Sequence, residues 1–150
     1  MKKQILQVTE FHRSIGEKVA ESPELLELNH EADQRLAGSL RGLIATATSD
    51  DQSLSHLNRR ALMAIEELAE WIEAHLEGDR VAVADAIGDR LYVLLGDAVA
   101  TGLPVLEIFD EVHQSNMTKR RQEQSTGKGL KGKGFQSPNL QSQLEPKSEE

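Results

Sequence analysis

Apolar residues recur at three- and four-residue spacing along most of this chain, and the pattern predicts about five helices and no strand. The first helix covers roughly residues 3–15 and stops near Gly16, a residue suited to a left-handed cap. Ser22-Pro23-Glu24 reads as the next start, with Ser as N-cap, Pro at the first helical position and an acid in the first turn. That helix is predicted to run to about Thr46, with Gly38 or Gly42 as the place for a break. The polar stretch Thr48-Ser49-Asp50-Asp51-Gln52-Ser53 is a loop. A third helix runs from about Ser55 to Glu77 and ends at Gly78. Asp79 caps the fourth, which reaches about Ala100 before Gly102, and Pro104 opens a fifth that ends near Gln122.

The fourth helix is apolar almost all round, through Val81, Val83, Ile87, Leu91, Val93 and Leu94. Such a helix belongs inside a bundle or at a subunit interface. A chain of 150 residues has few neighbours to cover it, so a homodimer or homotetramer is expected. After Gln124 the composition shifts to Gly, Ser, Gln and Lys. The expected architecture is all-α: a helical bundle of about five helices with a four-helix core over residues 1–124, and an extended or partly disordered tail over 125–150 that can wrap the body.

Composition narrows the chemistry. The absence of cysteine excludes disulfides, zinc–thiolate sites and thiol catalysis, and is compatible with the cytoplasm. No apolar run approaches the roughly 20 residues of a membrane span, so no membrane partner is expected. The net charge of −8 is unevenly spread: residues 1–118 hold 10 Lys/Arg against 21 Asp/Glu, whereas 119–133 hold six basic side chains against one acid. With so acidic a body and so few aromatic rings, nucleic acid is not an expected partner.

Two groups of acids interrupt the apolar pattern. Glu66, Glu67 and Glu70 fall within one arc of about 100° on the third helix, and Asp85 and Asp89 lie about 40° apart on the fourth. Acids at such spacing commonly make a solvated face. The apolar neighbours of Asp85 and Asp89 argue against that reading, and Arg80 or Arg90 pairing is the sharper alternative. If the two stripes face each other, like charges about 4 Å apart repel by roughly 4 kcal/mol per pair and call for a cation. No His stands three residues after Glu67 or Glu70, and none is near Asp85 or Asp89, so zinc and the Glu-x-x-His di-iron arrangement do not fit. Oxygen-only ligands suit Mg²⁺ or Mn²⁺, with phosphate from a substrate completing the sphere.

Glu66-Glu67-x-x-Glu70 followed by Asp85-x-x-x-Asp89-x-x-Tyr92-Val93 resembles the signature of the all-α nucleoside triphosphate pyrophosphohydrolases. Glu10-Phe11-His12 and Glu111-Val112-His113-Gln114-Ser115-Asn116-Met117-Thr118-Lys119 resemble two further segments of the MazG-like and phosphoribosyl-ATP pyrophosphohydrolase-like group. Lys131-Gly132-Lys133-Gly134-Phe135 with Pro138 and Leu140 resembles the stretch that follows them. Two features depart from the group. Ala86 stands where the superfamily often has a Glu three residues before the last Asp, and residues 17–54 have no counterpart.

The resemblance implies a nucleotide substrate, and Mg²⁺ bound by Glu67, Glu70, Asp85 and Asp89. It implies that Glu66 binds metal through water or activates the attacking water, and that Asn116 and Lys119 contact the nucleotide, chiefly its phosphates. The residues allow this, since Asn116 and Lys119 share one helix face at i, i+3, although a basic helix end is also favoured by the helix dipole alone. His113 is a candidate hydrogen-bonding partner of the substrate, and Tyr92 is expected in the core with its hydroxyl near the site. The reaction implied is hydrolysis of a nucleoside triphosphate, or a phosphoribosyl-ATP-like nucleotide, to the monophosphate and pyrophosphate. The alternative is a non-catalytic helical interaction protein whose acids are balanced by Arg59, Arg60, Arg80 and Arg90. A metal-storage bundle is a third reading.

Overall fold

A computed structural model describes residues 1–49, 54–121 and 128–144. It contains α1 (Lys2–Ile15), α2 (His30–Ser49), α3 (His56–Glu77), α4 (Arg80–Thr101), α5 (Val105–Met117) and a single turn α6 (Gln141–Leu144). No strand occurs among the described residues; one antiparallel bridge links Arg120 to Leu130. The protein is all-α, as its periodicity predicts. No single helix among the described residues is long and apolar enough to cross a membrane. The chain packs as two compact units, one of residues 23–101 and one of residues 1–22 with 102–150.

In the first unit, α3 packs against both α2 and α4. Ser55 caps α3 by accepting from the Asn58 N–H at 3.1 Å, and Gly78 ends it in the left-handed region at φ 74°. Asp79 then starts α4 by accepting from the N–H groups of Val81 and Ala82 at 2.8 and 3.1 Å. This two-residue turn fixes the two acid-bearing helices beside each other. Near their other ends Arg60 bonds Asp97 and donates to the Val93 carbonyl at 2.7 Å. Gly96 makes room for that guanidinium, since a Cβ there would stand 2.6 Å from Arg60 Nη2. The buried apolar side chains of this unit are small or β-branched, Ala69, Ala74, Ala86, Val83 and Val93 among them, and no large side chain of the described residues is completely enclosed.

In the second unit, α1 packs on α5. Lys3 Nζ donates to Asp110 Oδ2 at 2.5 Å and Gln7 Nε2 to Asp110 Oδ1 at 2.9 Å, and these bonds hold the Asp110 carboxyl below the usual aspartate range. The described part of the tail contacts α5, and includes a turn closed by Phe135 N–H to the Gly132 carbonyl at 3.0 Å and the single turn α6. Ser115 Oγ donates to the Gln136 carbonyl at 2.6 Å, Gln136 N–H to Thr118 Oγ1 at 2.9 Å, and Asn139 N–H to Glu111 Oε1 at 2.6 Å.

Five expectations need correction. The second helix begins at His30, not at Pro23, because Asn29 supplies a stronger start: its Oδ1 accepts from Ala32 N–H at 3.3 Å while Asp33 Oδ2 accepts from Asn29 N–H at 2.8 Å. That helix passes through Gly38 and Gly42 unbroken. The fifth ends at Met117, because Thr118 Oγ1 turns back to the Ser115 carbonyl at 2.7 Å and the chain leaves for the Leu130 bridge. The fourth is not enclosed all round by the bundle, the first of the two places expected for it: Val81, Tyr92 and Val99 are 80, 80 and 84% exposed. Of the loop expected at 48–53, Thr48 and Ser49 continue α2 instead; residues 50–53, the end point near Gln122, and tail residues 125–127 and 145–150 lie outside the described residues.

Gly78→Ala is expected to cost about 1–2 kcal/mol, because its backbone is left-handed. Gly38→Ala, in mid-helix with open space around it, is expected to gain about 0.5–1 kcal/mol. Urea midpoints at unchanged m-value measure both.

Candidate active site

Glu66, Glu67 and Glu70 lie on α3 and Asp85 and Asp89 on α4, all in the same unit. Glu67 is the member that the packing desolvates. Its Oε2 is buried and has no hydrogen-bond partner among the described residues, although the residue as a whole is only half-buried. Burial first, then the charges of Glu70, Asp89, Glu66 and Asp85, pushes the Glu67 carboxyl above the usual glutamate range. The other four sequence-predicted acids, from both α3 and α4, therefore act on Glu67. They are not closed around a single point: no three Asp, Glu or His side chains among the described residues form a ready metal cluster.

Asp85 and Asp89 are exposed, contrary to the expectation that apolar neighbours leave them no solvent face. The helix register explains this. Val83, Ala86 and Val93 turn inward, and the two aspartates share the outer edge with Val81, Tyr92 and Val99. Tyr92 is consequently not a core residue. Ala86, at the position where the resembled group often carries a Glu, is 4% exposed and packs in the interior. The inward-facing place on α4 is apolar, and the carboxylates of that helix stand on either side of it in sequence.

The guanidinium groups expected to neutralise the acids are mostly committed elsewhere. Arg59 Nη1 donates to the Leu54 carbonyl at 2.5 Å, Arg60 bonds Asp97, and Arg90 stacks over the Trp71 ring at 4.8 Å. Trp71 also meets His75 edge to face at 4.7 Å. The cation that does reach the acids is Arg41 of α2, which sequence reasoning missed. Its Nε and Nη2 donate to the two carboxylate oxygens of Glu73 at 3.0 and 2.6 Å, and its Nη2 stands 3.8 Å from Glu70 Oε1. The bond to Glu73, opposed by desolvation and aided by the charges of Glu73, Glu70 and Glu66, raises the Arg41 pKa; the same bond lowers that of Glu73. No local motif announces this contact, because it arises from α2 packing on α3 across about 30 residues of sequence.

The remaining candidates belong to the other unit. Lys119 Nζ donates to Asn116 Oδ1 at 2.6 Å and lies 6.0 Å from the Phe11 ring centroid. His113 Nε2 stands 3.6 Å from Glu10 Oε2. The Glu10-Phe11-His12 segment and the segment from Glu111 to Lys119, about 100 residues apart, thus face each other, with His12 Nδ1 turned instead to the Lys18 carbonyl at 3.2 Å. Gly129 fits against the Lys119 stem, where a Cβ would come within 2.7 Å.

An all-α protein with paired acids on two adjacent helices fits the class of helical pyrophosphohydrolases. The family model described as phosphoribosyl-ATP pyrophosphohydrolase matches residues 40–116, about half of the chain, and the chain belongs to that family. Membership points to hydrolysis of a phosphoric anhydride bond in a nucleotide-like substrate. No curated protein and no solved structure matches the chain. The match spans all five acids, Arg41, His113 and Asn116; it starts at residue 40, and so takes in part of the 17–54 segment for which no counterpart was expected.

Glu67→Gln removes a carboxylate that the fold disfavours in its charged form. A raised folded pKa means that stability is highest below the ordinary glutamate range of about 4.3 and falls as pH rises through the raised value. In chelator-containing buffer, E67Q is expected to melt above the parent at neutral pH, with the gap closing as pH falls through the raised value and gone below about 4. Thermal melts across that range measure it.

Proposed function

We propose that this protein is a Mg²⁺-dependent nucleotide pyrophosphohydrolase, with Mn²⁺ able to substitute, that converts a nucleoside triphosphate or phosphoribosyl-ATP-like nucleotide to the monophosphate and pyrophosphate. The observation that carries the reading is the buried, unpartnered Oε2 of Glu67 among four other carboxylates. Such a group is costly unless a cation or proton satisfies it. The donors are all carboxylate oxygens, which suits a hard dication. Glu67, Glu70, Asp85 and Asp89 would hold it. When bound it would supply a lowered water pKa and offset for charge on the phosphates.

In this reading Glu66, exposed at the rim of the group, takes the proton of the attacking water. Water adds to a phosphorus of the α–β anhydride, the bridging P–O bond breaks, and pyrophosphate leaves. The family resemblance assigns phosphate and substrate contacts to Asn116, Lys119, His113 and Tyr92, and within its own unit Lys119 Nζ donates to Asn116 Oδ1. The buried Ala86 favours the alternative, a non-catalytic interaction protein that kept the fold.

Adding millimolar Mg²⁺ or Mn²⁺ is expected to raise the Tm of the full chain by several degrees, and Glu67→Gln or Asp89→Asn to abolish that gain. Pyrophosphate release from a panel of nucleoside triphosphates, dUTP and dCTP included, is expected for the parent and not for those variants. Identical melting curves with and without metal, together with no release, support the interaction protein. Metal binding without release supports storage.

The outer edge of α4 carries the second part of the proposal: a second copy of this chain covers it, giving a homodimer or homotetramer. Val81, Tyr92 and Val99 expose apolar surface along that edge beside Asp85 and Asp89, and small monomeric proteins seldom leave so much of it in water. Val99→Glu is expected to shift the sedimentation profile to the monomer.

A further inference from the structure

Arg41 occupies a place at the acidic rim that a link between two helices does not require, and we propose that it is a phosphate-binding cation beside these acids. The inference rests on the pyrophosphohydrolase reading above. Arg41 grips both oxygens of Glu73 through Nε and Nη2, and this two-point contact fixes the plane of the guanidinium. A guanidinium has five N–H donors. The other three, two on Nη1 and one on Nη2, have no hydrogen-bond partner among the described residues. The free edge borders Glu70, at 3.8 Å, which is too long for a hydrogen bond but close enough for charge attraction. Glu66 also acts on the same group. These are the acids assigned to the metal and to the attacking water. The side chain is 38% exposed, so a ligand in solvent can reach it.

Electrostatics favours such a cation. A polyphosphate must approach a group of carboxylates whose total charge one dication does not cancel. A fixed guanidinium at the edge lowers that barrier, and its fork geometry matches two phosphate oxygens. Glu73 alone would suffice to tie α2 to α3. The unspent donors beside Glu70 are what point to an anion.

Calorimetric titration of the full chain with Mn²⁺, then with inorganic pyrophosphate in the presence of Mn²⁺, tests the assignment, with Tm recorded for each variant. Arg41→Met is expected to bind Mn²⁺ as well as the parent or better, since a nearby positive charge is gone, and to bind pyrophosphate about tenfold more weakly. Glu73→Gln loses the same helix link but keeps the guanidinium. It is expected to lower Tm as R41M does, yet weaken pyrophosphate only about threefold through lost orientation. Arg41→Lys is expected between the two. If R41M and E73Q both keep the parent's pyrophosphate affinity, Arg41 is a helix link only and the inference is overturned. Should R41M fail to fold, an unchanged affinity in E73Q and R41K has the same meaning. A parent that takes up no pyrophosphate with Mn²⁺ present overturns the proposed function itself, and this inference with it.

Discussion

The packing of α3 on α4 presses the Glu67 carboxyl out of water while Glu66, Glu70, Asp85 and Asp89 stay within reach of it. Those two conditions oppose each other. Apolar contact between the helices favours closeness, and like charge resists it. The fold resolves the conflict by geometry. Small interior residues such as Ala69 and Ala86 let the helices approach, the Gly78-Asp79 turn sets their register, and the other four acids are left at the surface, where water screens them. Only one oxygen of one residue bears the full cost of desolvation. Its neighbours are close enough for their charges to be felt there.

Much of this was legible in the sequence. Caps are local, so Gly16, Ser55, Gly78 and Asp79 marked helix ends that the structure keeps. The five acids stood out because charged residues at helical spacing within apolar stretches are conspicuous. What the sequence did not reveal is tertiary in origin. The apolar fourth helix gave no clear inner face, so Asp85, Asp89 and Tyr92 were assigned to an interior they do not occupy. Ser22-Pro23 is a good local start signal that lost to the reciprocal bonds of Asn29 and Asp33, which need the folded turn to exist. Arg41 carried no signal at all, because its meaning comes from the helix it lands on.

The same contrast runs through the two units. In the one that holds the acids, buried contacts are made by small side chains, and larger apolar groups such as Leu57, Val81 and Val99 face outward. A core of this kind tolerates close helix approach but yields modest burial per residue. The other unit relies more on specific polar links: Lys3 and Gln7 to Asp110, Lys119 to Asn116, and His113 near Glu10. There, position is set by directional bonds more than by apolar volume.

Along α5, Glu111, Ser115 and Thr118 hold the tail through its main-chain atoms at Asn139 and Gln136. These bonds do not consult the tail's own side chains. The tail is thus free to drift in composition over evolutionary time, provided a glycine persists at position 129, where any Cβ would strike the Lys119 stem. The helix has no such freedom. Its three polar rungs must survive together, so selection falls on the docking surface and spares the segment that docks.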